Sequence, residues 1–261
     1  MSAPVFLSDV SLHDVAVGDT HVLDGAEGRH AAVVQRLRVG ELVDVVDGVG
    51  VRLHCRATVV YGSTLDCRVE SVEWEPPPAV RITLVQALAK GDRDEMAVEA
   101  AVECGVDAIT PWQAERSVVV WRGDRAARSK ARWVNTVRAA VKQARRAYVP
   151  SVADAVTTKQ LAERVRQIIA EAGAVLVLHE SATMPISGVA LPTPSSDSAI
   201  TDAGADLLVV VGPEGGISDT ELAALADAGA QVVRLGPHVM RTSTAGPVAI
   251  ALLSERLGRW V

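Results

Sequence analysis

The sequence predicts a small β domain followed by an α/β domain with a largely parallel sheet, and three observations carry this. Residues 1 to about 75 hold short apolar runs that alternate with polar residues and are punctuated by turn signals. Pro76-Pro77-Pro78 then interrupts any strand ladder or helix and reads as a stiff linker over 76–79. From residue 80 to 261, strand-like apolar runs alternate with helical spacings, the pattern of a βα succession. A chain of 261 residues is long enough for two domains with a real core.

In the first domain the strands fall at Thr20 to Leu23, Leu42 to Asp47, Val51 to Val60 and Thr64 to Val69, separated by Asp47-Gly48 and Tyr61-Gly62-Ser63. One short helix is expected from Glu27 to Leu37. In the second domain Val80 to Leu88 is a strand. Asp94 to Cys104 is a helix, capped near Asp92 or Asp94 and stopped by Gly105. Arg125 to Tyr148 reads as one long helix ended by Pro150. Trp133, Val137, Val141 and Ala144 lie on one face of it, and Arg138, Lys142 and Arg145 on another. Then come a helix from Thr158 to Ala172, a buried strand from Ala174 to His179, and a polar loop from Pro185 to Ala205. Strand Asp206 to Val211, helix Ser218 to Ala228, strand Gln231 to Leu235 and helix Ser243 to Arg259 complete the chain.

Composition narrows the function classes. No apolar run reaches the roughly 20 residues of a membrane span. The first twenty residues lack a basic leader and an apolar segment, so a cytoplasmic location is expected. Cys55, Cys67 and Cys104 show neither metal-site spacing nor an even count for disulfides. The net charge is -6, yet nine basic residues stand against one acid between Arg122 and Arg146. So localised an excess points to an anionic partner.

Two loops carry the chemistry. Gly212-Pro213-Glu214-Gly215-Gly216 follows a continuous apolar strand and precedes a helix whose Ser218 and Glu221 form a capping box. It is not a phosphate loop, because no Lys-Ser/Thr pair follows and the spacing is not GxGxxG. Leu235-Gly236-Pro237-His238-Val239-Met240-Arg241-Thr242 is a second strand-to-helix turn. Such turns offer backbone polar groups to a purine, with Leu235, Val239 and Met240 as apolar walls. A third wall is expected at Leu178-His179-Glu180.

These three segments resemble the signature of the SPOUT class of methyltransferases. The resemblance implies a C-terminal trefoil knot that binds S-adenosylmethionine. The cofactor set it marks is Leu178, His179, Gly212, Pro213, Glu214, Gly215, Leu235, Gly236, Val239, Met240 and Arg241. Within the class the similarity covers nearly the whole chain and is to members that methylate N3 of a uridine in 16S rRNA. His30 and Arg36-Leu37-Arg38-Val39-Gly40 resemble the PUA-like RNA-binding barrel of those proteins. Lys90, Glu103-Cys104-Gly105-Val106, Pro111, Glu115-Arg116-Ser117, Gln143, Arg146 and Pro150 match positions typical of their second domain.

The resemblance further implies a homodimer acting on 16S rRNA or the small ribosomal subunit. Arg146 and Gln143 are the expected catalytic residues, and Arg29, Arg36, Arg38, Arg116, Arg138, Lys142 and Arg145 the expected RNA contacts. The sequence departs from the pattern at Ser243, where the family carries Glu, at Ala100, where Lys is common, and at Lys142, where Glu is common. Two other readings stay open: methylation of a ribose 2′-oxygen, since that chemistry shares the knot, or an RNA-binding, ribosome-assembly protein with a vestigial pocket, suggested by the lost acid at Ser243. No feature calls for a metal, a flavin or a nicotinamide.

Overall fold

The computed structural model describes residues 3–193 and 205–260. Alternating side chains let a strand bury one face, and five strands use this to build the first sheet. They are β1 (Val5–Leu7), β2 (Thr20–Leu23), β3 (Leu42–Val46), β4 (Val51–Tyr61) and β5 (Thr64–Trp74), in the order β1-β3-β4-β5-β2. All neighbours are antiparallel except β1 and β3. Phe6, Leu12, Leu23, Val43, Val45, Leu53 and Leu65 make its core. Two register shifts between β4 and β5, at His54/Cys55 and Ala57/Val59, mark bulges that bend the long ribbon.

The expected helix from Glu27 to Leu37 is shorter and changes character. It forms α1 (Gly25–Arg29) and then a wider π-type turn over His30–Val34, closed by Gln35 N–H to the His30 carbonyl at 2.8 Å. Arg36, with φ 56°, has left helical backbone altogether.

The second sheet contains seven strands among the described residues, all paired in parallel: β6 (Val80–Ala87), β7 (Ala108–Gln113), β8 (Ser151–Val152), β9 (Val156–Thr157), β10 (Ala174–Leu178), β11 (Ala205–Val211) and β12 (Gln231–Val233). Their order is β12-β10-β11-β6-β7-β8, with β9 also on β7. This is the α/β architecture with a parallel sheet that the βα alternation predicts. The central strands read as unbroken apolar runs because helices cover both faces. Those helices are α2 (Arg93–Glu103), α4 (Thr158–Ala170), α5 (Asp219–Asp227) and α6 (Thr242–Arg256); a further long helix, α3 (Asp124–Ala144), lies between β7 and β8 in the chain. Of the polar loop expected between Pro185 and Ala205, residues 194–204 lie outside the described set. In the remainder Ile186–Gly188 forms a single 3₁₀ turn with Ile186 buried.

The long helix α3 stops four residues early, at Ala144, because Arg145 adopts a left-handed φ of 57°. A specific contact holds it there. Arg52, only 8% exposed, lies between Asp44 (3.3 Å) and Glu75 (2.7 Å) and donates to the Arg145 carbonyl at 2.8 Å. Tyr148 Oη donates to the Glu75 carbonyl at 2.8 Å, and Val149 N–H to Gly48 O at 2.9 Å. The first structural unit therefore comprises Met1–Pro77 and Val141–Val149, and the second Pro78–Ala140 and Pro150–Val261. The sequence had placed 141–149 with the second domain, since helical spacing says nothing of which sheet a helix end meets.

Candidate active site

Parallel strands lying side by side present the loops at their carboxyl ends along one edge of the sheet. The order β12-β10-β11-β6-β7 makes five such loops neighbours, which is why segments distant in sequence meet. The loop after β11 shares an open cleft of ≈ 680 Å³ with Leu178-His179-Glu180 at the end of β10 and with residues 239–242 leading into α6. An adjoining cleft of ≈ 140 Å³ is lined by Leu178, His179 and Glu180 again and by residues 234–240.

The structure brings the whole expected cofactor set to these two clefts. Leu178, His179, Val239 and Met240 line both; Gly212, Pro213, Glu214, Gly215 and Arg241 line the larger; Leu235 and Gly236 line the smaller. Val239 is 78% exposed and Met240 37%, so among the described residues this part of the apolar wall is open to solvent.

Local chemistry explains why the glycine-rich loop is shaped as it is. Gly212 turns against Ile217, whose Cγ1 would lie 2.7 Å from any Cβ there, and Gly216 has φ 76°. Ser218 then caps α5 in the expected box with Glu221. The buried Glu221 carboxylate also accepts from Glu115 N–H at 2.8 Å and Thr158 Oγ1 at 2.6 Å, pinning the loop to β7 and α4.

Acids and arginines brace the near side. Glu214 accepts from Lys90 N–H at 3.0 Å and from the Arg93 guanidinium at 3.1 Å, and Arg116 donates to Gly215 O at 3.1 Å. One residue earlier, Ala89 N–H donates to Asp94 at 3.3 Å, so two carboxylates hold consecutive amides of the turn after β6. Thr242 Oγ1 donates to Gly212 O at 2.7 Å and accepts from Gln86 Nε2 at 2.9 Å. That tie joins the two cofactor loops.

Asp94 gives the site a pH signature. Burial pushes its carboxyl up to about 6, against the pull of the Ala89 and Glu95 amides, from an ordinary 3.8. Between these values the folded chain holds a proton that the unfolded chain has lost. The stability that Asp94 contributes is therefore fully present below 3.8 and is lost as pH rises through about 6. In urea titrations the wild-type midpoint should fall relative to Asp94→Asn as pH is raised from about 4 to about 6.5. Parallel curves would show that Asp94 does not titrate this way.

The remaining expected residues are placed as follows. His179 bonds Ser181 Oγ at 2.8 Å and its amide caps β12 through Val233 O. Arg116 lines the larger cleft and is exposed. In the first unit Arg29, Arg36 and Arg38 are exposed, as are Gln143 and Arg145, while Arg146 is half-buried. In the second unit Arg138 is half-buried on α3. Lys142 differs from its expected role: its ammonium is paired with Glu27 at 2.8 Å, both largely buried, so its charge is already neutralised. Sequence reading missed Gln86 and Arg93, and named Thr242 only as the last residue of the second loop, without a role. Only Gln86 left a signal, as a lone amide near the end of an apolar strand.

Among the described residues no group of three or more His, Cys, Asp or Glu is arranged to hold a metal ion, and no helix is long and apolar enough to cross a membrane. Clefts at the carboxyl ends of parallel strands, walled by two glycine-containing loops, are where α/β domains hold small-molecule ligands. The sequence matches the family model of the RNA methyltransferase domain over residues 75–254.

More specific likenesses follow. A protein of Mycobacterium tuberculosis (strain CDC 1551 / Oshkosh) named ribosomal RNA small subunit methyltransferase E is 46% identical over 93% of this chain and 89% of its own length. The crystal structure of a ribosomal RNA small subunit methyltransferase E from Neisseria gonorrhoeae, bound to S-adenosyl methionine, superposes with a TM-score of 0.82 at 29% identity, covering 98% of both chains. A methyltransferase of Legionella pneumophila in complex with the same cofactor gives a TM-score of 0.83 at 26% identity, again over 98% of both. The chain belongs to the ribosomal RNA small subunit methyltransferase E family of RNA methyltransferases.

Proposed function

We propose that this chain binds S-adenosylmethionine in the clefts after β10, β11 and β12 and methylates N3 of a specific uridine in 16S rRNA. The observation that carries the cofactor reading is the convergence of three loops on an apolar wall that the described residues leave open at Val239 and Met240. The fit of the site to an adenosyl group rests on Gly236. A Cβ there would meet no atom within 4 Å among the described residues, so the smaller cleft is open at this position and has room for a ligand group. Leu235, Val239 and Met240 would hold the purine, and the backbone of Gly212 to Gly215 and the Arg241 segment the polar remainder.

Bound there, S-adenosylmethionine supplies an electrophilic methyl group. What the chain adds is alignment and charge. The uracil N3–H must lose its proton, and negative charge then spreads to the neighbouring carbonyl oxygens. Arg146 stabilises that charge and Gln143, three residues earlier on the chain, orients a carbonyl. An arginine cannot take the proton at working pH, so a water or a substrate phosphate accepts it.

We read the five-stranded unit as a PUA-like barrel that positions RNA through Arg29, Arg36 and Arg38, with Arg116, Arg138 and Arg145 as further phosphate contacts. In the same reading the segment from β10 to α6 forms the trefoil knot. The protein acts in the cytoplasm as a homodimer on 16S rRNA, naked or within the small subunit. Calorimetry with S-adenosylmethionine tests the first half of the proposal: one saturable site is expected, whereas absence of binding would favour a non-catalytic RNA-binding role, the reading that Ser243 in place of the family's Glu raises. RNA affinity should fall steeply with added salt; a salt-insensitive affinity would remove the arginine contacts.

A further inference from the structure

We propose that Gln86 is a positioning residue of the methyl-donor cleft: acting through the Thr242 hydroxyl, it fixes the Gly212 carbonyl and locks the two cofactor loops together. This rests on the cofactor reading above and extends it to a residue that does not line either cleft.

Gln86 lies near the end of β6 in an otherwise apolar stretch and is 0% exposed. An amide buried among Leu and Val costs more than a Leu or Met of similar volume unless its hydrogen bonds are all made. Here they are not: Nε2 donates to Thr242 Oγ1 at 2.9 Å and to the Ala87 carbonyl at 3.2 Å, while Oε1 has no partner among the described residues. Core packing gives no reason for such a residue. Its one long-range bond does.

Proton bookkeeping fixes the direction of the chain. A carbonyl only accepts, so at 2.7 Å the single proton of the Thr242 hydroxyl goes to Gly212 O. The hydroxyl must then accept from Gln86, which turns the amide nitrogen toward Thr242 and leaves Oε1 as the unpaired atom. Without the Gln86 donor the hydroxyl is free to rotate, and the Gly212 carbonyl loses its fixed partner. Gly212 starts the loop after β11, Thr242 starts α6, and both line the larger cleft. The Gly212–Pro213 peptide has no N–H, so this carbonyl is its one hydrogen-bonding group.

The test is S-adenosylmethionine affinity of the full chain by calorimetry. Gln86→Leu and Thr242→Val should each weaken binding by about tenfold, the upper range for one neutral hydrogen bond. The double variant should bind no more weakly than either single one, because both cut the same chain. Thr242→Ser should bind like wild type. Gln86→Glu adds a pH readout: its acid donates only when protonated, so its affinity should fall with rising pH more steeply than wild type. Wild-type affinity in Gln86→Leu, or additive losses in the double variant, would overturn the inference while the cofactor reading stands. Failure of the wild-type chain to bind would overturn both. If Gln86→Leu does not fold, the Ser and Val variants of Thr242 decide: equal binding by the two refutes the chain.

Discussion

Arg146→Ala should slow methyl transfer on bound RNA by about 10²–10³-fold, the range for removing one preorganised donor aimed at developing charge. RNA affinity should change only a few-fold, since several other arginines remain to meet phosphates. The size of the effect follows from preorganisation. A guanidinium held in place before reaction costs no reordering when charge appears on the uracil ring. Arg146 is half-buried and follows a residue whose carbonyl is gripped by the buried Arg52, itself fixed by Asp44 and Glu75. Single-turnover rates at saturating RNA and S-adenosylmethionine measure the chemical step alone. An unchanged rate, with or without weaker RNA binding, would reduce Arg146 to a phosphate anchor.

Gly236→Leu should abolish cofactor binding while leaving the fold as stable as wild type. Its backbone is outside the left-handed region and a Cβ there meets no protein atom, so substitution incurs neither strain nor clash. Yet the residue lines the smaller cleft between Leu235 and Val239, where a branched side chain would take the space proposed for the adenosyl group. A loss of affinity of at least about 100-fold is expected, roughly 2.8 kcal/mol. Thermal melting without ligand should match wild type. A variant that binds S-adenosylmethionine normally would place the adenosyl group elsewhere; one that melts early would make Gly236 a structural glycine.

The fold was legible wherever one periodicity ran long enough. β4, β6, β10 and β11 stand out as apolar or alternating runs, and α5 announces itself through Ser218 and Glu221. The sequence reading assigns no element to β7; its Pro111 weakens a strand pattern, yet it sits inside the sheet with Pro111 opposite Gln86. β1, β8 and β9 are too short to show any period. The premature end of α3 was hidden for another reason. Nothing near Arg145 requires a left-handed backbone; Arg52, 93 residues away, holds it.

The site divides along the same line. Each cofactor loop is a contiguous motif that follows a strand and opens a helix, so its residues could be named from sequence. Their neighbourhood depends on strand order, which no spacing reveals. Couplings such as Gln86 to Thr242 span 156 residues and exist only in the folded sheet. Lys142 illustrates the converse, a basic residue in a basic run whose charge the fold assigns to Glu27.

The most direct measurement is to incubate the purified chain with S-adenosylmethionine carrying an isotopically labelled methyl group and small ribosomal subunits or 16S rRNA lacking the modification. Nucleoside mass spectrometry then locates the label. The expected result is labelled N3-methyluridine and no other labelled nucleoside. Label on a ribose 2′-oxygen, or no transfer to either substrate, would contradict it.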